Sequence, residues 1–241
     1  TKDPKYLNDV SRFNNIQMAR KISLNSAYGA IGNEWFRYYD LKIAEGITTS
    51  GQLSIRWIEK ALNGYLNKLL KTDGVDYVIA SDTDSVYIRF DELINKVLPK
   101  RTDESEGSHR GRAVDFLNRI AEEKIEPFIN TSYQDLASYV NAFEQKMEMG
   151  REAIADKGIW TAKKRYILNV WDMEGVRYQE PQLKIMGIEA VKSSTPAPCR
   201  IKIKEALKVI MTKDEPALIE FIENFRTHFK KLPPEDIAYP R

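Results

Sequence analysis

Cysteine is almost absent. A single Cys199 in 241 residues leaves no intrachain disulfide and no thiolate cluster for structural zinc, and it fits a reducing compartment. Histidine is nearly as scarce: His109 and His228 have no companions at ligand spacing, which excludes histidine-rich metal chemistry. No run approaches the roughly 18 consecutive apolar residues that a membrane span needs, and the opening TKDPKYLNDV has no apolar signal region. The reading is a soluble, cytoplasmic chain without a membrane partner. Charge of one sign is lacking as well. Lys and Arg total 37 against 35 Asp and Glu, a net of +2, so a polyanion would have to be held by local clusters rather than by a bulk field. Hydrophobic residues at 42% and charged residues at 30% exclude a disordered tail and supply one substantial core with room for a small second lobe.

What is there alternates between helical and strand patterns. Residues 9–33 favour one helix with a glycine-marked end at Gly29 and Gly32. A second helix is expected over 43–70, with Ile47, Trp57, Leu62, Leu66 and Leu69 on its apolar side. VDYVIA at 75–80 and SVYIRF at 85–90 are β-branched and aromatic runs around a short polar turn, the pattern of an antiparallel hairpin. RTDESEGSHRGR at 101–112 reads as a polar surface loop. A long helical pattern follows, divided at Pro127 and resuming through Tyr139, Phe143 and Met147. A strand-rich block covers 152–190, with DMEG as a hairpin turn between KRYILNVW and VRYQE. After the hinge-like SSTPAP come two helices, 199–212 and 216–231, the second started by Asp214 ahead of Pro216. LPPEDIAYPR ends the chain without a capping pattern, as though cut.

Three constellations carry chemistry. Asp82 and Asp84 lie two apart in SDTDS, so on an extended backbone both carboxylates share one side and repel until a cation intervenes. Hard oxygen donors suit magnesium or manganese, although Asp, Thr and Ser are also ordinary turn formers. In the first helix, Asn14, Lys21, Asn25 and Tyr28 fall in a stripe about 60° wide. That stripe is either a solvated face or a binding face, with Lys21 for a phosphate and Tyr28 beside Gly29 for a base pair. Lys163, Lys164, Arg165 and Tyr166 open a strand, where alternation puts Lys163 and Arg165 on one face and Lys164 and Tyr166 on the other. They serve either nucleic-acid phosphates or edge protection. Trp35, Phe36, Arg37, Tyr38 and Tyr39 form an aromatic and basic cluster that reads as core and rim rather than a stacking platform.

Together these residues resemble family B DNA polymerases. KISLNSAYG at 21–29 is similar to the fingers-helix motif Kx3NSxYG, SDTDS to the palm motif DTDS, and KKRY at 163–166 to the primer-side palm motif. FRYYDL, LNVWDMEG, LKIMGIE and SSTP resemble the replicative polymerases of tailed bacteriophages. The resemblance implies an α+β fold: a polymerase palm with an antiparallel β-sheet and packed helices, plus a fingers helix and the first thumb helices. It divides the chain into the second fingers helix (1–33), the larger palm portion (34–187) and the beginning of the thumb (188–241).

It further implies that Asp84 and Asp82 are the catalytic and metal-holding carboxylates for two Mg2+ ions, with Mn2+ as the alternative. Lys21, Asn25, Tyr28 and Thr83 would bind the incoming dNTP. Gly29, Lys163, Lys164, Arg165 and Tyr166 would contact primer–template DNA. Ser81 stands where the family has glycine. No counterpart is found of the DxxSLYPS-type strand with the second metal-bridging aspartate, nor of the first fingers helix. The expectation is therefore an incomplete polymerase with little or no activity alone, either one product of a split gene that reassembles with an N-terminal fragment or a truncated reading frame, in the cytoplasm of a host cell. The alternative is a non-catalytic DNA-binding or assembly module derived from a palm.

Overall fold

The computed structural model describes residues 4–238. Leu7–Ile31 forms α1 and Leu41–Leu70 forms α2. The turn between them is fixed by Asp40, whose carboxylate accepts from the N–H groups of Lys42 and Ile43 at 2.9 and 3.2 Å and so caps α2. α1 has no buried residue and meets the body at its C-terminal end, where Gly32 faces the Ala44 methyl. α2 spans roughly 45 Å and changes character along its length. Ile43 and Ile47 are exposed, whereas Ser54, Ile58, Leu62 and Leu66 are buried.

That buried end seats the first core. Ile58, Leu62 and Leu66 pack with Tyr77 and Val78 and with Ile125, Ile129, Tyr133 and Leu136; each fully buried aliphatic side chain stabilises by about 2 kcal/mol. Tyr65 stacks on Phe128 at 4.2 Å, and the Trp57 indole donates to the Ser132 carbonyl at 3.0 Å. The hairpin expected from the sequence forms as β1 (Val78–Asp82) and β2 (Ser85–Ile88), antiparallel with Asp82 opposite Ser85. Short α3 (Asp91–Val97) and then α4 (Glu106–Ile120) follow. A π-helical turn, Ala121–Ile125, precedes α5 (Glu126–Tyr139), which carries Pro127 in its first turn. The wider turn accommodates the proline ring and its missing N–H, so the helix is divided there as the sequence indicates.

The second sheet is β3 (Ala153–Ala162), β4 (Arg165–Met173) and β5 (Val176–Met186), antiparallel in the order β3-β4-β5. The central strand β4 is buried from Tyr166 to Val170 because both its faces are covered. Ile167 packs towards Leu207 and Met211 of α6 (Ala197–Thr212), and Tyr166, Leu168 and Val170 pack towards Tyr87 of the first hairpin. α7 (Glu215–Phe229) and α8 (Pro234–Ile237) are the last elements among the described residues, with the Asp214 carboxylate accepting from Ala217 N at 3.2 Å. The fold is thus α+β with two antiparallel sheets, as expected.

Two expectations fail locally. Residues 106–112, read as loop, are already helical: Ser105 caps α4 through Ser108 N at 3.2 Å, and Glu104 grips Arg112 two turns on. The helix expected to resume through Met147 ends at Tyr139. Asn141 takes a positive φ of 53°, and Phe143 stands fully exposed.

Candidate functional site

Asp82 ends β1 and Asp84 lies beyond Thr83, whose φ is 55°. Asp84 N donates to Asp82 O at 2.6 Å, and the Thr83 hydroxyl donates to the Asp82 carboxylate at 3.0 Å. The backbone therefore turns tightly between the two acids, and the extended arrangement expected from their spacing does not occur. Thr83 and Asp84 are exposed and Asp82 is half-buried. The pair supplies hard oxygen donors of the kind magnesium or manganese takes alongside water and phosphate oxygens. It fits part of an ion's shell. Among the described residues no group of three or more His, Cys, Asp or Glu side chains is placed to hold an ion.

The turn stands on a scaffold that sequence reading missed. The Asn63 side-chain oxygen accepts from Tyr77 N at 2.8 Å and Val78 N at 3.0 Å, while its amide donates to Asp76 at 2.7 Å. One helical turn on, Asn67 donates to Val75 O at 2.7 Å and accepts from Val75 N at 3.0 Å. Two asparagines of α2 thus satisfy the backbone that leads into β1, a demand no buried peptide group can leave unmet. The signal was available: poor helix formers four residues apart, beside the buried Leu62 and Leu66.

Lys163 and Lys164 are not in a strand; they form the β3–β4 turn, with Lys164 at φ 61°, so the alternation expected across 163–166 does not hold. Both are exposed and neither has an ion-pair partner among the described residues. Arg165 donates to both carboxylate oxygens of Glu189 at 2.8 and 2.6 Å. Gly187, at φ 65°, lies so close behind this turn that a Cβ there would collide with the Lys164 carbonyl oxygen. Tyr166 is 5% exposed, so its ring is not free to meet a ligand. It packs edge-on to Tyr87, ring centres 5.4 Å apart. Burial, the Tyr87 hydroxyl and a smaller contribution from Asp82 all push the Tyr166 phenol above its ordinary pKa. The Tyr87–Tyr166 contact therefore ties the hairpin bearing the acids to the strand that follows the two lysines.

Lys21, Asn25, Tyr28 and Gly29 lie on the exposed helix α1. Gly29 has open space beside it. No hydrogen bond or ion pair among the described residues joins this helix face to the acidic turn or to the lysine turn.

A cavity of about 690 Å³ opens beside the acidic turn. β2 and β3 are end strands of their sheets, and consecutive residues of both line it. Arg151 and Trp171 also line it, and the Nε of one and Nε1 of the other are buried without an acceptor. Buried donors of this kind ordinarily have partners.

The two aspartates thus sit on a hairpin braced through Tyr87 against a three-stranded sheet, with a long exposed helix earlier in the chain. Residues 5–100 match the model of DNA polymerase family B. It is 47% identical over 207 residues to the DNA-directed DNA polymerase of Escherichia phage RB69, covering 83% of this chain and 22% of that protein. To the DNA-directed DNA polymerase of Enterobacteria phage T4 it is 43% identical over 233 residues, covering 93% of this chain and 25% of that protein. DNA polymerase 1 of Aeropyrum pernix is 25% identical over 207 residues, 86% of this chain and 16% of its own length. The chain thus spans about a quarter of the length of the phage relatives it matches.

Proposed function

We propose that this chain supplies the acidic palm turn, the primer-side lysines and one fingers helix of a template-directed DNA polymerase, which joins a dNTP to a primer 3′-hydroxyl. The observation that carries the reading is the Tyr87–Tyr166 contact at 5.4 Å, which joins the hairpin bearing the acids to the strand that follows the two lysines. In the proposed division, 1–33 is the fingers helix, 34–187 the palm and 188–241 the start of the thumb; the first three and last three of these positions lie outside the described residues.

Asp84, with Asp82 beside it, would hold divalent magnesium or manganese. When bound, a pair of such ions neutralises charge on the attacking and leaving oxygens of an in-line displacement at the α-phosphate. Lys21 meets the triphosphate as a point charge, Asn25 the sugar and Tyr28 the new base pair over the open space at Gly29; Thr83 orients Asp82 through its 3.0 Å hydrogen bond. Lys163 and Lys164 engage phosphates of the primer–template duplex, which serves copying because phosphate contacts carry no sequence preference. Arg165 and Tyr166 act behind them, holding the turn through Glu189 and Tyr87.

The partner is a polypeptide bearing the upstream palm strand and first fingers helix. The cavity between the end strands β2 and β3, with its two unpaired donors, supports that assignment. The setting is the cytoplasm of a phage-infected cell; no helix among the described residues is long and apolar enough to cross a membrane.

Primer extension tests the reading, with dNTPs and magnesium, using this chain alone, the chain mixed with that upstream polypeptide, and Asp84→Ala as control. Extension in the mixture, abolished by Asp84→Ala, is expected. Association without extension would leave a DNA-binding module and overturn the catalytic assignment.

A further inference from the structure

We infer that Lys157 is a positioning residue that holds α6 at a fixed setting beside the lysine turn, an inference that rests on the polymerase reading above. The helices at the two ends of the chain are attached differently. α1 meets the body at one end, and the aromatic cluster that follows it, expected to be core and rim, stands in solvent, with Trp35 88% exposed and Tyr38 68%. α6 is tied on both sides to the strands that flank the lysine turn. Ahead of its start, Arg165 of β4 donates to Glu189 at 2.8 and 2.6 Å, and Lys192 donates to the same carboxylate at 3.2 Å. In its last turn, Met211 O accepts from the Lys157 ammonium of β3 at 2.7 Å. Between these ties, Leu207 and Met211 are buried in one cluster with Ile167.

Lys157 reaches α6 because the ladder slips beside it. On a regular strand, residues 155 and 157 would share a face. The β3–β4 register shifts between Ala155 and Lys157, and a bulge of this kind re-aims the side chains that follow it. Ala155 therefore packs with Tyr87 and Val170, while Lys157 turns to the other face of the sheet, where α6 lies. The carbonyl it meets is one of the last four of a helix, which have no partner within the helix. Lys213 N satisfies Val209 O at 2.8 Å; an ammonium on Met211 O satisfies a second and opposes the negative end of the helix dipole.

The helix so held carries charge that no other group takes up. Arg200, Lys204 and Lys208 lie one turn apart along α6, the two lysines exposed, and none has an ion-pair partner among the described residues. Lys202, by contrast, is occupied by Glu205 at 2.6 Å. Lys163 and Lys164 lie in the chain between Lys157 and Arg165, so the same two strands fix both groups of cations. A duplex gains from meeting both groups at once only where their separation suits it. Lys157, its ammonium already engaged, acts on the duplex through α6.

The test measures affinity for a blunt DNA duplex by anisotropy of labelled DNA, for the unaltered chain, Lys157→Met, Lys157→Arg, the pair Lys204→Ala, Lys208→Ala, and that pair combined with Lys157→Met. Urea denaturation of each confirms folding. Lys157→Met is expected to weaken binding about 2- to 10-fold, and Lys157→Arg, which keeps donor and charge, to restore most of it. Added to the lysine pair, Lys157→Met should cost nothing further, because residues acting through one another are not additive. The same loss with and without Lys204 and Lys208 would mean that Lys157 touches DNA itself and would overturn the inference. Unchanged affinity in Lys157→Met, with faster amide exchange in the last turn of α6, would reduce the bond to a local helix cap and overturn it too, leaving the polymerase reading standing. No duplex binding by the unaltered chain would overturn both.

Discussion

Single residues set the geometry of the two turns from behind, and Gly187, behind the lysine turn, is the sharpest case. Its φ of 65° and its approach to the Lys164 carbonyl leave no room for a side chain. Gly187→Ala is expected to cost about 1–3 kcal/mol in urea denaturation and, by displacing the Lys163–Lys164 turn, to weaken duplex binding. An unchanged denaturation midpoint would show that the turn yields freely. Asn63 works from the opposite side. Asn63→Ala would strand the N–H groups of Tyr77 and Val78, which now find its oxygen at 2.8 and 3.0 Å. Each unsatisfied group costs about 1–3 kcal/mol. Asn63→Asp keeps the oxygen that accepts from both N–H groups but sets a second carboxylate against Asp76, so its loss should be smaller than that of Asn63→Ala, measured side by side. The dependence on Gly187 could not be read from sequence, because Gly187 and Lys164 are neighbours only after β4 and β5 have paired.

At the scale of elements, legibility followed the range of the interactions that hold each one. The hairpin, the division at Pro127 and the Asp214 start of α7 rest on local chemistry and were readable. The start of α4 was not, because its polar, glycine-bearing first turns are stabilised by the Ser105 cap and by Glu104 reaching Arg112 rather than by an apolar stripe. This makes α4 sensitive to acid. The Arg112 guanidinium holds the Glu104 carboxyl down at about 2, against an ordinary 4.5. A folded value below the unfolded one means the stabilisation is complete above the ordinary carboxylate range and is lost as pH falls from there towards 2. Protection of the Ser108 amide, its exchange measured against the intrinsic rate at each pH, should fall over that interval and do so less in Glu104→Gln, whose protection is already lower at pH 6. Identical profiles would remove Glu104 from the account of α4. Asp172 titrates in the same sense. Burial alone would raise its pKa, but the hydrogen bonds from Arg151, Arg177 and Gly175 N outweigh it and hold it low.

For the whole molecule, the acidic turn was legible as a candidate site while its setting was not, since the setting is a gap between two sheets. β2 and β3 are end strands facing one cavity of about 690 Å³, and exposed strand edges invite pairing with another chain. A strand of the proposed upstream polypeptide laid between them would take up backbone groups of both edges and give the Arg151 and Trp171 donors acceptors. Hydrogen exchange separates this from mere proximity. Adding the upstream polypeptide should slow amide exchange along Ser85–Ile88 and Ala153–Ala162 by an order of magnitude or more, roughly the protection a paired strand gains. The β4 amides, already paired on both sides, should change little. Protection confined to α1 would instead mean that the partner docks on the exposed helix and leaves the sheet edges open. The acidic turn would then have to work without a completed sheet beneath it.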